Sequence, residues 1–572
     1  MMKPMLSVEN LQIQFGAHPA VNDISFTLAQ GEMLALVGES GSGKSATALA
    51  IMGLLAPQAR TAGRIIFAGD DVLSLPPRQL RALRGNQISM IFQEPMTSLN
   101  PVYSIGAQIA ESMMAHQKLS RQQARARAIE LLELVNIPDP ERRVDDFPHQ
   151  LSGGQRQRVM IAMAVACEPK LLIADEPTTA LDVTVQANIM ALIDRLRKTL
   201  SLSVLMISHD LGLVSQWADN VAVMHNGSIV EHNQTPALFA QPQHDYTKGL
   251  LAASLLGEQD VHYRQRMLTE IRHDAEGRFN LHQPATLNFA APDGRETAAP
   301  LLALRHLQVS YGHGNRRVPA IRDISFDLQQ GETLGLVGES GCGKSTLSRT
   351  LLRLLTPDSG EIRLQGKDIA QLPESALRDL RRSVQMIFQD PYASLNPRHT
   401  IFTILDSVLR LHDPAPAAQR LTRIHQMLDR VGLPRQALAR YAHEFSGGQR
   451  QRIGIARALI VKPKLVICDE AVSALDVSVQ AQILNLLLEM KQEFGLSYLF
   501  ISHNLAVVRY MADRVLVMNQ GDIVEAGEVE QIWHRPVHPY TRQLLAAVTH
   551  ASTQQEHSAR TQPLKFDAAL TL

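Results

Sequence analysis

The sequence predicts an α/β chain made of two tandem copies of one domain. Three observations lead there: a long internal repeat, short strand-like runs that are wholly apolar, and alternating apolar positions ahead of them. GESGSGKS at 38–45 returns as GESGCGKS at 338–345, and MIFQEPMTSLNP at 90–101 returns as MIFQDPYASLNP at 386–397. LSGGQRQR at 151–158 returns as FSGGQRQR at 445–452, and ISHD at 207–210 as ISHN at 501–504. The offset drifts from 300 to 294, as loop insertions and deletions require, while the order of motifs is unchanged. Apolar residues alternate at Leu6, Val8, Leu11, Ile13 and Phe15, and again at Ile24, Phe26 and Leu28, the pattern of strands with one face exposed. The runs 34–37, 171–174 and 204–207 are apolar throughout. Strands buried on both faces read this way, so each copy is expected to hold a parallel central sheet flanked by helices, with an antiparallel subdomain at its start.

Bulk properties narrow the class. At 572 residues the chain exceeds one compact core, and about 150 residues per domain suggests about four folding units. Apolar residues make up 45% and charged residues 20%, yet no window approaches the ~18 consecutive apolar residues of a membrane helix. Residues 1–8 have one Lys followed by polar residues, with no apolar stretch and small-residue cleavage site, so no secretory signal is visible and the chain is expected in the cytoplasm. The 56 basic and 56 acidic residues cancel, which removes the usual electrostatic case for a nucleic-acid partner. Cys167, Cys342 and Cys468 are scattered and form neither a disulfide framework nor a metal-ligand spacing, as suits a reducing compartment. The expected organisation is a first domain over residues 1–256, a polar linker over 257–300, a second domain over 301–550 and a loosely held tail over 551–572.

Chemistry enters with the glycine-rich segments. Each matches GxxxxGK[ST] directly after an apolar strand and before a helix-forming stretch, the context a phosphate-binding P-loop needs. Gly38, Ser40, Gly41 and Gly43, and in the second copy Gly338, Ser340, Gly341 and Gly343, let backbone N–H groups curl around phosphates. Lys44 and Lys344 place a cation on the β and γ phosphates of ATP, and Ser45 and Ser345 offer a hydroxyl to Mg²⁺. A strand ending in two acids follows in each copy. Asp175 and Asp469 are expected in the Mg²⁺ shell, and Glu176 and Glu470 are expected to orient, or take a proton from, the attacking water.

The LSGGQ segment, with Ser152, Gly153, Gly154 and Gln155, and its twin with Ser446, Gly447, Gly448 and Gln449, carry the argument to a family. With the P-loops they make nearly the whole chain resemble the ATP-binding cassette (ABC) proteins, whose P-loop NTPase domains add a helical subdomain to the two sheets. In that family two cassettes pair head to tail, which implies that Lys44 faces Ser446 and Lys344 faces Ser152. A helix N-terminus at each signature would then present its dipole to the γ phosphate. The resemblance further implies that Gln93 and Gln389 are Q-loop residues sensing Mg²⁺ and water, that His209 and His503 are switch histidines, and that Asp182 and Asp476 are D-loop aspartates. It offers Phe15 and Tyr311 as adenine-stacking aromatics. The second copy departs from the pattern at Phe445 in the signature and at Ala471-Val472-Ser473 after the catalytic acid, neither of which removes a functional group. Two competent ATPase sites are therefore expected.

Within the family the chain is most similar to the ATPases of peptide-type importers, through the extended Q-loops at 93–101 and 389–397 and the HxYT segments at 244–247 and 538–541. That likeness implies two permease subunits and an extracytoplasmic solute-binding protein as partners, and a place on the cytoplasmic face of the inner membrane. Peptide, glutathione, opine, peptide antibiotic and nickel all remain open as cargo. The alternative from another class is a soluble ABC ATPase acting on ribosomes or DNA. The neutral charge and the absence of a long charged helical arm between the copies weigh against it. Cys342, inside the second P-loop, is expected to react with thiol reagents unless nucleotide shields it.

Overall fold

The protein is described here by a computed structural model covering residues 4–549 apart from 94–97, 180, 257–260, 274–278, 290–298, 313–316 and 474. The proposed tail over 551–572 lies outside the described residues.

Each wholly apolar run becomes an inner strand. In the first copy the six-stranded sheet runs Ser228–Gln234, Asn220–His225, Met33–Val37, Ser203–Ile207, Leu171–Asp175, Ile88–Ile91, parallel except for its antiparallel edge Ser228–Gln234. All five residues of Met33–Val37, Leu171–Asp175 and Ser203–Ile207 are buried. The second copy repeats the order with Asp522–Glu528, Arg514–Asn519, Thr333–Val337, Ser497–Ile501, Leu465–Asp469 and Val384–Ile387. The alternating segments form a separate antiparallel sheet of His18–Leu28, Leu6–Phe15, Ala59–Phe67 and Asp70–Asp71, matched in the second copy by Val318–Leu328, Leu302–Tyr311, Ser359–Leu364 and Lys367–Asp368.

Two cores result in each cassette, one on either face of the parallel sheet. In the first, Leu34, Leu36, Ile173 and Ile207 pack against the antiparallel sheet, while Ala35, Leu172 and Met206 pack against the helices Ile105–His116, Arg121–Leu134 and Gly153–Val165. The alternation of sides along each strand is the pleat itself. Among the described residues no helix is long and apolar enough to cross a membrane.

Residues 261–273 and 279–289, expected as part of a polar linker, pack against both cassettes as a strap. Tyr263, Met267, Leu268 and Ile271 are buried, and Glu270–His273 pairs antiparallel with Phe279–His282. Ile271 joins the core of the first cassette, and Tyr263, Met267 and Leu268 join that of the second. The apolar residues are too few and irregular to show a period, which is why the sequence alone conceals the packing. Polar groups complete it. The Tyr263 hydroxyl donates to Asp513 at 2.8 Å and accepts from Lys491 at 2.9 Å, and Arg264 pairs with Asp513 at 2.7 Å. Burial alone would raise the Asp513 carboxyl, but Lys491, the Thr333 N–H and Arg264 hold it down at about 2. Fully buried Asn485 completes the backbone of the strap, donating to the Leu268 carbonyl at 2.8 Å and accepting from its N–H at 3.1 Å.

The helices that follow the HxYT segments cross over. Asp245–Ala253 of the first cassette lies on Val477–Phe494 of the second, and Pro539–Thr549 of the second lies on Val183–Leu200 of the first. Replacing Asn485 by Leu would leave two backbone groups of the strap unpaired. It should destabilise the second cassette by about 2–4 kcal/mol, read from urea unfolding followed by fluorescence of Trp533; an unshifted curve would refute the structural role of the strap.

Candidate active site

The polar groups of both sites gather where the parallel strands end, because strands that run the same way all finish at one edge of the sheet. Met33–Val37 leads into the first P-loop, and helix Lys44–Ile51 leaves it. Gly38 and Gly43 have φ of 152° and 101°, and a Cβ on Gly38 would collide with the Met224 carbonyl, so the loop can close only with glycine there. Lys44, buried, folds its ammonium back onto the Gly38 and Glu39 carbonyls, each at 2.7 Å. Lys344 does the same at 2.7 and 2.8 Å. Burial lowers the Lys44 pKa, and the carboxylates of Asp476, Glu176 and Asp175 oppose that shift.

Leu171–Asp175 ends in a buried carboxylate, and the next residue turns sharply. Glu176 sits at φ 49° and Glu470 at φ 51°, left-handed conformations uncommon for a residue with a side chain. The turn is pinned by the Glu176 N–H on the Ile207 carbonyl, and by Glu470 on Ile501, both at 2.9 Å. It aims the two adjacent acids in different directions. Asp175 stays close to the P-loop, accepting from the Ser45 hydroxyl at 3.4 Å, whereas Asp469 meets Ser348 at 3.5 Å. Burial and the neighbouring Glu176 raise the Asp175 pKa; burial and Glu470 do the same to Asp469.

Glu176 points instead into a cluster that unites three distant segments. Its carboxylate accepts from Gln93 Nε2 at 2.7 Å and Thr179 Oγ1 at 2.9 Å, and lies 3.2 Å from His209 Nδ1. Burial would raise its pKa, but His209, Thr179 and Gln93 outweigh that and hold it down at about 2. His209 shifts in the opposite direction, its burial penalty overcome by Glu176. In the second cassette Gln389 donates to Glu470 at 2.7 Å and His503 Nδ1 lies at 3.3 Å, while Ser473 turns to the backbone carbonyl of Glu470 at 3.1 Å. The motif order thus brings Gln93, Glu176 and His209 together, and likewise Gln389, Glu470 and His503. Thr179 is a partner that sequence reasoning passed over, although its place three residues after Glu176 is the spacing at which a turn folds a hydroxyl back.

A cavity of about 440 Å³ is shared by the two cassettes. The second contributes Gly341, Gly343, Lys344, Ser345, Tyr311, Gln389, Glu470 and His503, and the first contributes Leu181 and Asp182. Asp182 Oδ2 accepts from the Ser340 N–H at 3.4 Å, and the Thr184 hydroxyl lies 2.7 Å from Glu339 Oε1. In the other direction the charge of Asp476 opposes the lowering that burial imposes on Lys44 and adds to the rise that Glu176 gives His209. The D-loop of the first cassette therefore meets the P-loop of the second. In the signatures Ser152 and Gln155 cap their own helix reciprocally, at 3.0 and 3.3 Å, as Ser446 and Gln449 do at 3.2 and 3.4 Å. Tyr311 lines the shared cavity and bonds Thr346 through its hydroxyl at 3.2 Å. Phe15 is partly exposed at the end of its strand.

Cys342 corrects one expectation. Its side chain is buried under Gly338, and burial raises its thiol pKa despite Lys344, so thiolate chemistry is suppressed instead of favoured.

A profile described as ABC transporter matches residues 21–179 and 321–473, more than half of the chain. The chain belongs to the ABC transporter family. A second profile, described as the C-terminal region of oligopeptide/dipeptide transporters, matches 524–569. Relatives along nearly the full length include the glutathione import ATP-binding protein GsiA of Pectobacterium atrosepticum, 47% identical over 96% of this chain and 90% of that one. GsiA of Escherichia coli K12 is 47% identical over 97% and 91%. Among solved structures, a dimeric ATP-binding cassette in a post-hydrolysis state with ADP and Pi aligns at 25% identity and a TM-score of 0.37, covering 40% of this chain and 98% of that one.

The Glu176–His209 pair gives this ABC protein a defined pH signature. His209, raised above its ordinary 6.5, contributes stability that is complete below that value and is lost as pH rises through the raised pKa. Glu176, lowered from 4.5 to about 2, contributes stability that is complete above 4.5 and is lost as pH falls towards 2. The melting-temperature difference between the protein and its Glu176→Gln variant should be greatest between about pH 4.5 and 6.5 and should shrink as pH rises through the raised His209 pKa. A difference constant from pH 5 to 9 would sink this assignment.

Proposed function

We propose that this ABC ATPase drives a peptide-type importer for glutathione or a related short peptide, hydrolysing ATP at two sites between its cassettes. The observation that carries the chemistry is the ionised glutamate held between a glutamine and a histidine, opposite a P-loop lysine, in both cassettes. Lys44 and Lys344, already offered as ammonium donors, would transfer from loop carbonyls to the β and γ phosphates. A carboxylate with its pKa held down is charged at neutral pH, so Glu176 can accept a hydrogen bond from the attacking water and orient it, with Gln93 and His209 fixing its direction. Glu470, Gln389 and His503 would repeat these roles. The D-loop aspartates, Asp182 and Asp476, would report the state of one site to the other.

The residues fit Mg²⁺. Asp175 is buried beside the Ser45 hydroxyl at the end of its strand, and Asp469 is buried at the end of its own with the Ser348 hydroxyl at 3.5 Å, oxygen donors suited to a hard cation; Gln93 and Gln389, bonded to the adjacent Glu176 and Glu470, would complete the set. Bound there, Mg²⁺ would neutralise charge that builds on the phosphoryl oxygens.

The importer reading rests on the relatives named for glutathione import and on the match to the oligopeptide/dipeptide C-terminal region. Such a motor works from the cytoplasmic face of the membrane with two permeases and a solute-binding protein. Exposed apolar side chains beside the Q-loops, Phe92, Val102 and Tyr103 in one cassette and Phe388 and Tyr392 in the other, suit the docking of permease helices. The decisive experiment reconstitutes the chain with its permeases in vesicles and adds binding protein loaded with glutathione. ATP turnover should rise and be lost in the double variant Glu176→Gln, Glu470→Gln, with partial turnover in each single variant. Stimulation by ribosomes or DNA in place of the permeases would overturn the reading. A single variant as active as the parent would overturn the assignment of two working sites.

A further inference from the structure

The HxYT segment of the second cassette opens the helix Pro539–Thr549. Its start is fixed by Glu525, whose carboxylate accepts from the Val537 and His538 N–H groups at 2.8 and 3.0 Å, and by His538 Nδ1, which accepts from the Tyr540 N–H at 3.2 Å. From that anchored turn Tyr540 reaches its own cassette's P-loop, and its hydroxyl oxygen accepts the Glu339 N–H at 3.0 Å. The same helix lies on Val183–Leu200 of the other cassette. Glu339 meets the beginning of that element directly, since the Thr184 hydroxyl is 2.7 Å from Glu339 Oε1 and 2.8 Å from Asp182 Oδ1. One residue on, the Ser340 N–H reaches Asp182 Oδ2 at 3.4 Å. Tyr540, Glu339, Thr184 and Asp182 thus form a continuous chain from the C-terminal helix, through one phosphate loop, to the D-loop of the facing cassette.

In the first site Tyr246, Glu39, Ser478 and Asp476 hold the equivalent positions, with serine in place of threonine. Tyr246 is wholly buried and approaches the Glu39 backbone as Tyr540 approaches Glu339. Asp476 makes no side-chain cap on its helix, where Asp182 accepts from the Val185 N–H at 2.9 Å.

We infer that Tyr540 is a positioning residue for the second nucleotide site, holding the mouth of its P-loop through the Glu339 N–H and coupling that loop to Thr184 of the opposite cassette. The segment that follows the second cassette thereby sets ATP affinity at one of the two sites. This rests on reading the shared cavity as an ATPase site. Because the contact shapes the loop that grips phosphates in ground and transition states alike, its loss acts on KM more than on kcat.

The test is steady-state ATP hydrolysis by the full chain as Tyr540→Phe, Thr184→Val and the two combined, with melting temperatures recorded for each. Tyr540→Phe should raise KM for ATP roughly 3- to 10-fold, the equivalent of one neutral hydrogen bond, with kcat changed less than about twofold. Thr184→Val should also raise KM, and the combined variant should be no worse than the more severe single one, because both act on Glu339. An unchanged KM in Tyr540→Phe, or effects that simply multiply in the combined variant, would each overturn the proposal. A lowered melting temperature with unchanged KM would make Tyr540 a packing residue and overturn it too. Glu470→Gln in the same assay separates the two readings: if it leaves turnover intact, the cavity is not an ATPase site and both fall, whereas if it lowers turnover a failure belongs to Tyr540 alone.

Discussion

Buried parallel strands that end together impose the central constraint on this protein. Each strand interior is apolar on both faces, so every charged group a site needs must wait until the strand runs out, and the strands run out along one edge. Asp175 and Glu176 stand at that boundary. One is drawn back towards the P-loop with its pKa raised, and the other is turned by a left-handed backbone into a nest of donors that holds its pKa down at about 2. Two neighbouring acids in the chain acquire opposite electrostatic characters, the separation that divides metal binding from water activation. The strained turn persists because the Ile207 carbonyl, Gln93, Thr179 and His209 all hold it.

The second organising feature is reciprocity between the cassettes. The cavity at the second P-loop is not complete within one copy, since Asp182 and Thr184 of the first cassette stand on its P-loop side. The crossed helices after the HxYT segments and the strap over 261–273 and 279–289 attach each cassette to its partner. Fusion in one chain keeps these contacts at high effective concentration, so the interface can loosen and re-form during a cycle without the partners being lost. The duplication is not perfect in its bonds. Thr179 braces a carboxylate where Ser473 braces a carbonyl, and Asp182 caps its helix where Asp476 does not.

The segment between the cassettes shows where sequence reading reached its limit. Its composition is polar, and composition suggests a solvated tether, yet Tyr263, Met267, Leu268 and Ile271 are buried and their polar neighbours are paired with Asp513, Lys491 and Asn485. Those partners lie more than 200 residues away along the chain, and no local period could disclose them. Cys342 teaches the same lesson at a smaller scale, because its position in a phosphate loop suggested access while its side chain is tucked beneath Gly338.

The sequence by itself determined the duplication, the parallel-sheet core, the P-loops, the paired acids and the glutamines and histidines that meet them. These are legible because their chemistry depends on residue type, order and spacing along short stretches: a glycine where φ is positive, an apolar run where a strand is buried, an acid where that strand ends. Only the tertiary structure decided which way each acid points, that the signature serines and glutamines satisfy one another within their own helices, and that Tyr540 reaches Glu339 while Thr184 meets the same residue from the other cassette. Those outcomes depend on which distant groups satisfy a buried donor or acceptor. That is settled when the two cassettes pack together and every polar atom removed from water must find its partner.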